Sequence, residues 1–181
     1  MTFEDITEDG KLWAVRYDGD RDNILAMTFD RWNDQDWLRS FFMANSNDLS
    51  DYFKITDLNQ AIYDTVSDAH ELECVIFDSI ASDELDSLFK PLGNLRASEV
   101  ILGKEKAKGT KKFGHDSWLR LYAIRFQCNS YLVTGGEIKL TRSMQEREHT
   151  LEELWKLEKV RNFLISEGAY DIDGFYDLMN K

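Results

Sequence analysis

At 181 residues, with 43% hydrophobic and 13% aromatic side chains, the chain can bury a sizeable core without help from disulfides or metals. One proline and ten glycines exclude a linker-rich or disordered polypeptide. A formal charge of −12 excludes a uniformly basic surface, so any contact with polyanions must come from a local cluster of Lys and Arg.

Leu12 to Tyr17 and Ile24 to Phe29 are short runs rich in β-branched and aromatic residues, separated by the turn formers DGDRDN. They predict a β-hairpin. In its turn Asp18, Asp20 and Asp22 imitate the start of an EF-hand loop, but Asn23 replaces the sharp-turn glycine and Phe29 the bidentate glutamate, so the segment reads as a turn. Trp32, Trp37, Leu38, Phe41 and Phe42 then recur at helical spacing, which predicts a helix capped by Asp30 or Asn33 and ending near Asn45. Asp57 opens a long amphipathic pattern through Leu58, Ile62, Val66, Ala69 and Leu72 towards Phe77, and Ser82 a short helical turn closed by Pro91. Gly103 to Gly114, with five lysines, three glycines and no hydrophobic period, predicts a mobile loop.

Trp118 to Phe126 alternates apolar and polar residues, Cys128-Asn129-Ser130 is turn chemistry, and Tyr131 to Thr141 continues extended. Together they predict a long antiparallel hairpin, in which Gly135-Gly136 marks a bulge or a close backbone approach. Thr150, with Glu153 three residues on, predicts a capping box for a helix through Leu164; Gly168 stops it, and a short terminal helix follows. The fold expected is α+β: one domain with an antiparallel sheet packed against several helices. Residues 1–88 form an acidic hairpin-plus-helix region, and 89–181 hold the second hairpin and the closing helix.

The charge is unevenly spread. Residues 1–95 carry −14, residues 96–146 carry +5 and residues 147–181 carry −3, so a basic island stands in an acidic chain. No apolar run is long enough to span a membrane and the N-terminus is acidic, which predicts a soluble cytoplasmic protein. Cys74 and Cys128 lack any paired spacing, and His70 with Cys74 has no second pair, so neither a disulfide nor a metal is expected. His115-Asp116-Ser117 is a neighbourhood in sequence rather than a triad. With no P-loop, GxGxxG, GxSxG or HExxH motif, no cofactor is implied.

A Lys-Pro-Leu turn, a basic segment, a strand with RLYAIR, a second strand ending GGEIKLTR and a closing Glu/Leu/Lys helix follow one another from about Phe89 to Leu164. This order resembles the HigB-like branch of the RelE/ParE toxin superfamily. The resemblance implies a small α+β toxin of a bacterial toxin–antitoxin pair, acting on RNA or the translating ribosome, restrained by a cognate antitoxin protein and cutting messenger RNA without a metal. Position by position, Arg120 or Arg125 matches the family's strand arginine, and Gly136, Lys139 and Thr141 match its glycine, lysine and threonine. Arg142 lies where further basic residues are usual, whereas Leu140 stands where a second lysine is common. The acidic N-terminal region has no counterpart in the compact toxins, and EGAYDIDGFYDLMNK replaces their basic or aromatic tail, with Tyr170 and Tyr176 as possible substitutes.

RNA cleavage through a 2′-hydroxyl needs a base, an acid and fixed positive charge for the phosphorane-like transition state. Arg120, Arg125, Lys139 and Arg142 are the candidates for charge, Tyr122 for orientation or proton donation, and His149 for proton transfer. Lys104, Lys106, Lys108, Lys111 and Lys112 are the candidates for RNA binding. Two other readings stay open: a non-enzymatic interaction protein gripping a partner through its acidic N-terminal region, and an acidic nucleic-acid mimic.

Overall fold

The computed structural model describes residues 1–92, 101–109, 114–142 and 146–180. It is an α+β fold built on one six-stranded sheet of order β1-β2-β6-β5-β4-β3. The strands are β1 (Thr2–Asp5), β2 (Leu12–Arg16), β3 (Lys90–Pro91), β4 (Gly103–Lys108), β5 (Leu119–Gln127) and β6 (Ser130–Ile138). Every pairing is antiparallel except β2 with β6, where Leu12, Trp13 and Ala14 run parallel to Tyr131, Leu132 and Val133. That pairing ties the acidic first half to the hairpin of the second.

Helices cover both faces. On one lie α1 (Ile24–Asn33), α2 (Gln35–Ala44), α4 (Leu58–Ala81) and the single turn α5 (Leu85–Leu88); on the other lie α6 (Glu148–Ser166) and α7 (Ile172–Met179). Between α2 and α4 the chain makes a short helical turn, α3 (Ser46–Asp48), and a π-helical turn over Leu49–Phe53. The two adjacent glycines of β6 fix this layering. A β-carbon on Gly136 would meet Thr28 of α1, and one on Gly135 would collide with the Glu153 carboxylate of α6. Neighbouring strand residues point to opposite faces, so α1 and α6 approach the same strand from opposite sides. Both glycines are therefore close-approach positions, and Thr134 beside them is the extra residue of a bulge opposite Tyr122 and Ala123. Gly135→Ala is expected to lower stability by roughly 1–3 kcal/mol through overpacking, as read from a denaturant midpoint.

The expected antiparallel hairpin of residues 118–141 is present as β5 and β6. The long helix after Asp57 is α4, with the Asp57 carboxylate accepting from the Asn59 amide at 2.9 Å, and it runs on to Ala81. Gly168, at φ 82°, follows α6, and the short terminal helix is α7.

Four expectations are corrected. Ile24 to Phe29 is not a strand: buried Ile24, Leu25, Thr28, Phe29 and Trp32 follow a helical period, and the Asn23 side chain caps α1 by accepting from the Ala26 amide at 3.0 Å. The single helix expected after Asp30 is instead the second half of α1 followed by α2, whose cap is Asp34. The first part of the expected 103–114 loop is β4, because Gly103, Glu105 and Ala107 turn inward and pair with β5 while the lysines alternate to the other face. At the start of α6 the cap position is Arg147, not Thr150, whose hydroxyl donates to the Arg147 carbonyl at 2.9 Å. Arg147 also grips the buried Asp48 carboxylate through Nε and Nη2 at 2.7 and 2.5 Å, which pins the helix start to α3.

Among the described residues no helix is long and apolar enough to cross a membrane.

Candidate functional site

The register of β4 and β5 places Lys104 opposite Ile124, Lys106 opposite Tyr122 and Lys108 opposite Arg120, all on the α6 face. Between this face and α6 opens a cleft of about 400 Å³. Its polar lining is Lys106, Lys108, Arg120, Tyr122, Lys139 and Arg142, and Leu92 and Leu154 close its apolar margins. Among the described residues no carboxylate lies within ion-pairing distance of any of the five cations. Arg120 donates from Nη1 to the carbonyls of Ser117 and Leu119, both at 2.6 Å, and Lys139 donates to those of Thr141 and Arg142 at 2.7 and 2.6 Å. Carbonyls orient these groups without cancelling their charge. Burial, and then repulsion from Lys108 and Arg120, holds the Lys106 pKa below its ordinary value; burial followed by Arg120 and Lys106 does the same to Lys139.

Tyr122 is 1% exposed, and its hydroxyl has no hydrogen-bond partner among the described residues. Burial is the main cause of its raised pKa, with Glu153 and Glu137 adding and Arg120 opposing. At neutral pH the phenol stays protonated, with no acceptor among the described residues and with Arg120 as the cation that acts on it.

Behind the cleft, beneath α6, lie two buried carboxylates. Glu153 is held by Lys156, which donates to Oε1 at 2.6 Å, while its Oε2 is unpartnered among the described residues. Glu137 accepts from the Ile138 amide at 2.7 Å, and burial pushes its pKa up to about 7 against the opposing pull of Arg31. A carboxyl that is harder to ionise folded than unfolded loses stability as pH rises, from its unfolded value near 4.5 to the folded value near 7. Glu137→Gln is expected to flatten that decline, on the order of 3 kcal/mol at most, in unfolding curves taken across this window.

A second lobe of about 490 Å³ shares Arg120, Lys139 and Arg142 with the first. It adds Tyr52 and Phe53 from the π-helical turn, together with Asp51, Lys54, Asp116 and Ser117. Elsewhere, a depression of about 440 Å³ opens over α1 and α2, but there Arg21 and Asp30 pair with each other and Asp34 caps α2.

Of the candidates named from the sequence, Arg120, Tyr122, Lys139, Arg142, Lys106 and Lys108 converge on the cleft. Three others stand outside it. Arg125 is an odd number of residues from Arg120, so it projects from the opposite face, where its Nη2 meets Asp86 at 3.0 Å. His149 is half-buried and stands edge-on against Phe41 at 5.4 Å, and burial lowers its pKa. Lys104 shares the face of Lys106 but pairs with Glu158 of α6. Lys111 and Lys112 lie outside the described residues. Sequence reasoning missed Leu92, Leu154 and the Tyr52 turn, which reach the site only through the tertiary fold; Glu137 was legible only as the residue opposite Arg120 in the hairpin. The chain matches no protein-family model, no curated protein and no solved structure.

Proposed function

We propose that the chain binds RNA through this cleft and acts as a toxin of the RelE/HigB-like kind, engaging messenger RNA or the translating ribosome in the cytoplasm. The observation that carries the reading is the gathering of five cationic side chains on one concave surface with no carboxylate within ion-pairing distance among the described residues. Crowding like charges is unfavourable unless something anionic relieves it, and Lys106 and Lys139, lowered in pKa by burial and by neighbouring cations, would gain from a bound phosphate. The acidic remainder of the chain focuses attraction on this one surface.

In the cleavage chemistry of that reading, Arg120, Lys139 and Arg142 carry the charge of the phosphorane-like transition state and Tyr122 orients the phosphate or donates a proton. His149, displaced towards Phe41, is dropped from the proton-transfer role. A cognate antitoxin is the natural restraint in this reading, and covering the cleft is the simplest way for it to work.

The test is the salt dependence of RNA binding by the intact protein. For single strands the logarithmic slope is about −0.7 per phosphate neutralised, so four or five engaged cations give roughly −3. A flat response, or no binding of RNA at low salt, would falsify the proposal.

A further inference from the structure

The two lobes that meet at Arg120, Lys139 and Arg142 differ in chemistry. The first is cationic on nearly every side, with Tyr122 in its wall. The second brings two aromatic rings and two carboxylates to the far side of the same cations. Carboxylates repel phosphate, so a nucleic-acid backbone held by the shared cations has no reason to continue into the second lobe. An aromatic face is what a nucleobase seeks.

Tyr52 is the ring placed to serve. It is 42% exposed, and its hydroxyl donates to Glu146 Oε2 at 3.2 Å, which holds the ring at the lobe. The π-helical turn that carries it is fixed beneath by Phe53, which packs edge-on against the buried Trp118 at 5.1 Å, and it ends at Lys54 in the left-handed conformation, φ 59°. The ring is thus displayed from a rigid mount.

We infer that the second lobe is a nucleobase subsite, in which a base flanking the phosphate held by Arg120, Lys139 and Arg142 stacks on Tyr52. This rests on the RNA-binding reading and narrows it: the ligand is single-stranded, because a base paired in a duplex does not offer its face to a side chain.

The experiment compares two probes, a single-stranded octanucleotide RNA of mixed sequence and inorganic polyphosphate, on the full chain. Tyr52→Ala is expected to weaken RNA binding by about 5- to 100-fold, the range for losing one stacked base, and to leave polyphosphate binding unchanged. Tyr52→Trp is expected to restore RNA affinity, and Arg142→Ala to weaken both probes. If Tyr52→Ala, folded by circular dichroism, matches the wild type on RNA while Arg142→Ala does not, the base subsite is overturned and the cleft reading stands. Equal losses on both probes for Tyr52→Ala also overturn the subsite. If the wild type binds no RNA, both fall together.

Discussion

Replacing Lys106 and Arg142 by glutamine together should lower RNA affinity by about a hundredfold without lowering the melting temperature. The affinity estimate follows from two charge-assisted phosphate contacts at roughly 1.5 kcal/mol each. The stability half is the sharper one. Neither side chain pairs with a carboxylate among the described residues, and the Lys106 pKa is lowered by burial and then by repulsion from Lys108 and Arg120. Removing a charge from a crowd of like charges relieves the fold, so a melting temperature equal to or above wild type is expected alongside the lost binding. Thermal melts and RNA titrations on the same preparation check both halves. A variant that binds RNA normally, or that melts markedly earlier, would place these residues in the scaffold instead. Lys139 and Arg120 are poorer choices for this test, because their hydrogen bonds to main-chain carbonyls also hold the ends of β5 and β6.

Arg125→Ala should give the reverse pattern, destabilising the protein by roughly 2–4 kcal/mol while leaving RNA affinity within about twofold. Arg125 lies on the opposite face in a compact polar knot. Its partner Asp86 also accepts from the Tyr131 hydroxyl at 2.6 Å and the Asn129 amide at 2.9 Å, and the Asn129 side chain accepts from the Asp86 amide. Beside the knot lies Glu105, 1% exposed, with neither carboxylate oxygen partnered among the described residues, its pKa raised by burial and drawn back chiefly by Arg125. Losing the guanidinium leaves Glu105 without its main offsetting charge, while Asp86 keeps its Tyr131 and Asn129 hydrogen bonds. The double variant Arg125→Leu with Glu105→Leu should recover part of the loss, since it removes the buried carboxylate that Arg125 offsets. Urea denaturation of the three proteins checks this, and failure of the double variant to recover would show that Arg125 contributes by packing rather than by charge.

The contrast between Arg120 and Arg125 shows how far a site is legible from residue order. Strict alternation in LRLYAIR made β5 recognisable, and the same alternation already separates Arg120 and Tyr122 from Arg125 onto different faces. Treating all the basic residues of the hairpin as one set ignored a parity that the sequence contains. The long helix after Asp57 was equally legible, because its cap and its apolar stripe agree over many turns. ILAMTF was not: six residues of mixed β-branched and aromatic character fit either period, and the deciding signals are Trp32 further along and the Asn23 cap before it. The GKEKAK segment hid for another reason. Lysine and glutamate have weak strand preference, and β4 forms because β5 offers it a ladder, a tertiary cause with no local signature. Lys104 shares its face with Lys106 and is diverted only by Glu158, 54 residues away. Tyr52 reaches the site on a π-helical turn that sequence periodicity does not announce.

The parallel seam between Leu12–Ala14 and Tyr131–Val133 has a bearing on how this protein comes into being. The segment that seals the hairpin's flank is made roughly 120 residues before its mate, a long closure of the kind that slows folding. Until the two join, Tyr131, Leu132 and Val133 form an apolar border with unused amide and carbonyl groups, which invites strands from other molecules. The acidic half is in this sense an intramolecular chaperone for the basic one. A piece cut at residue 89 would keep every cation of the cleft and leave the flank of β6 uncovered.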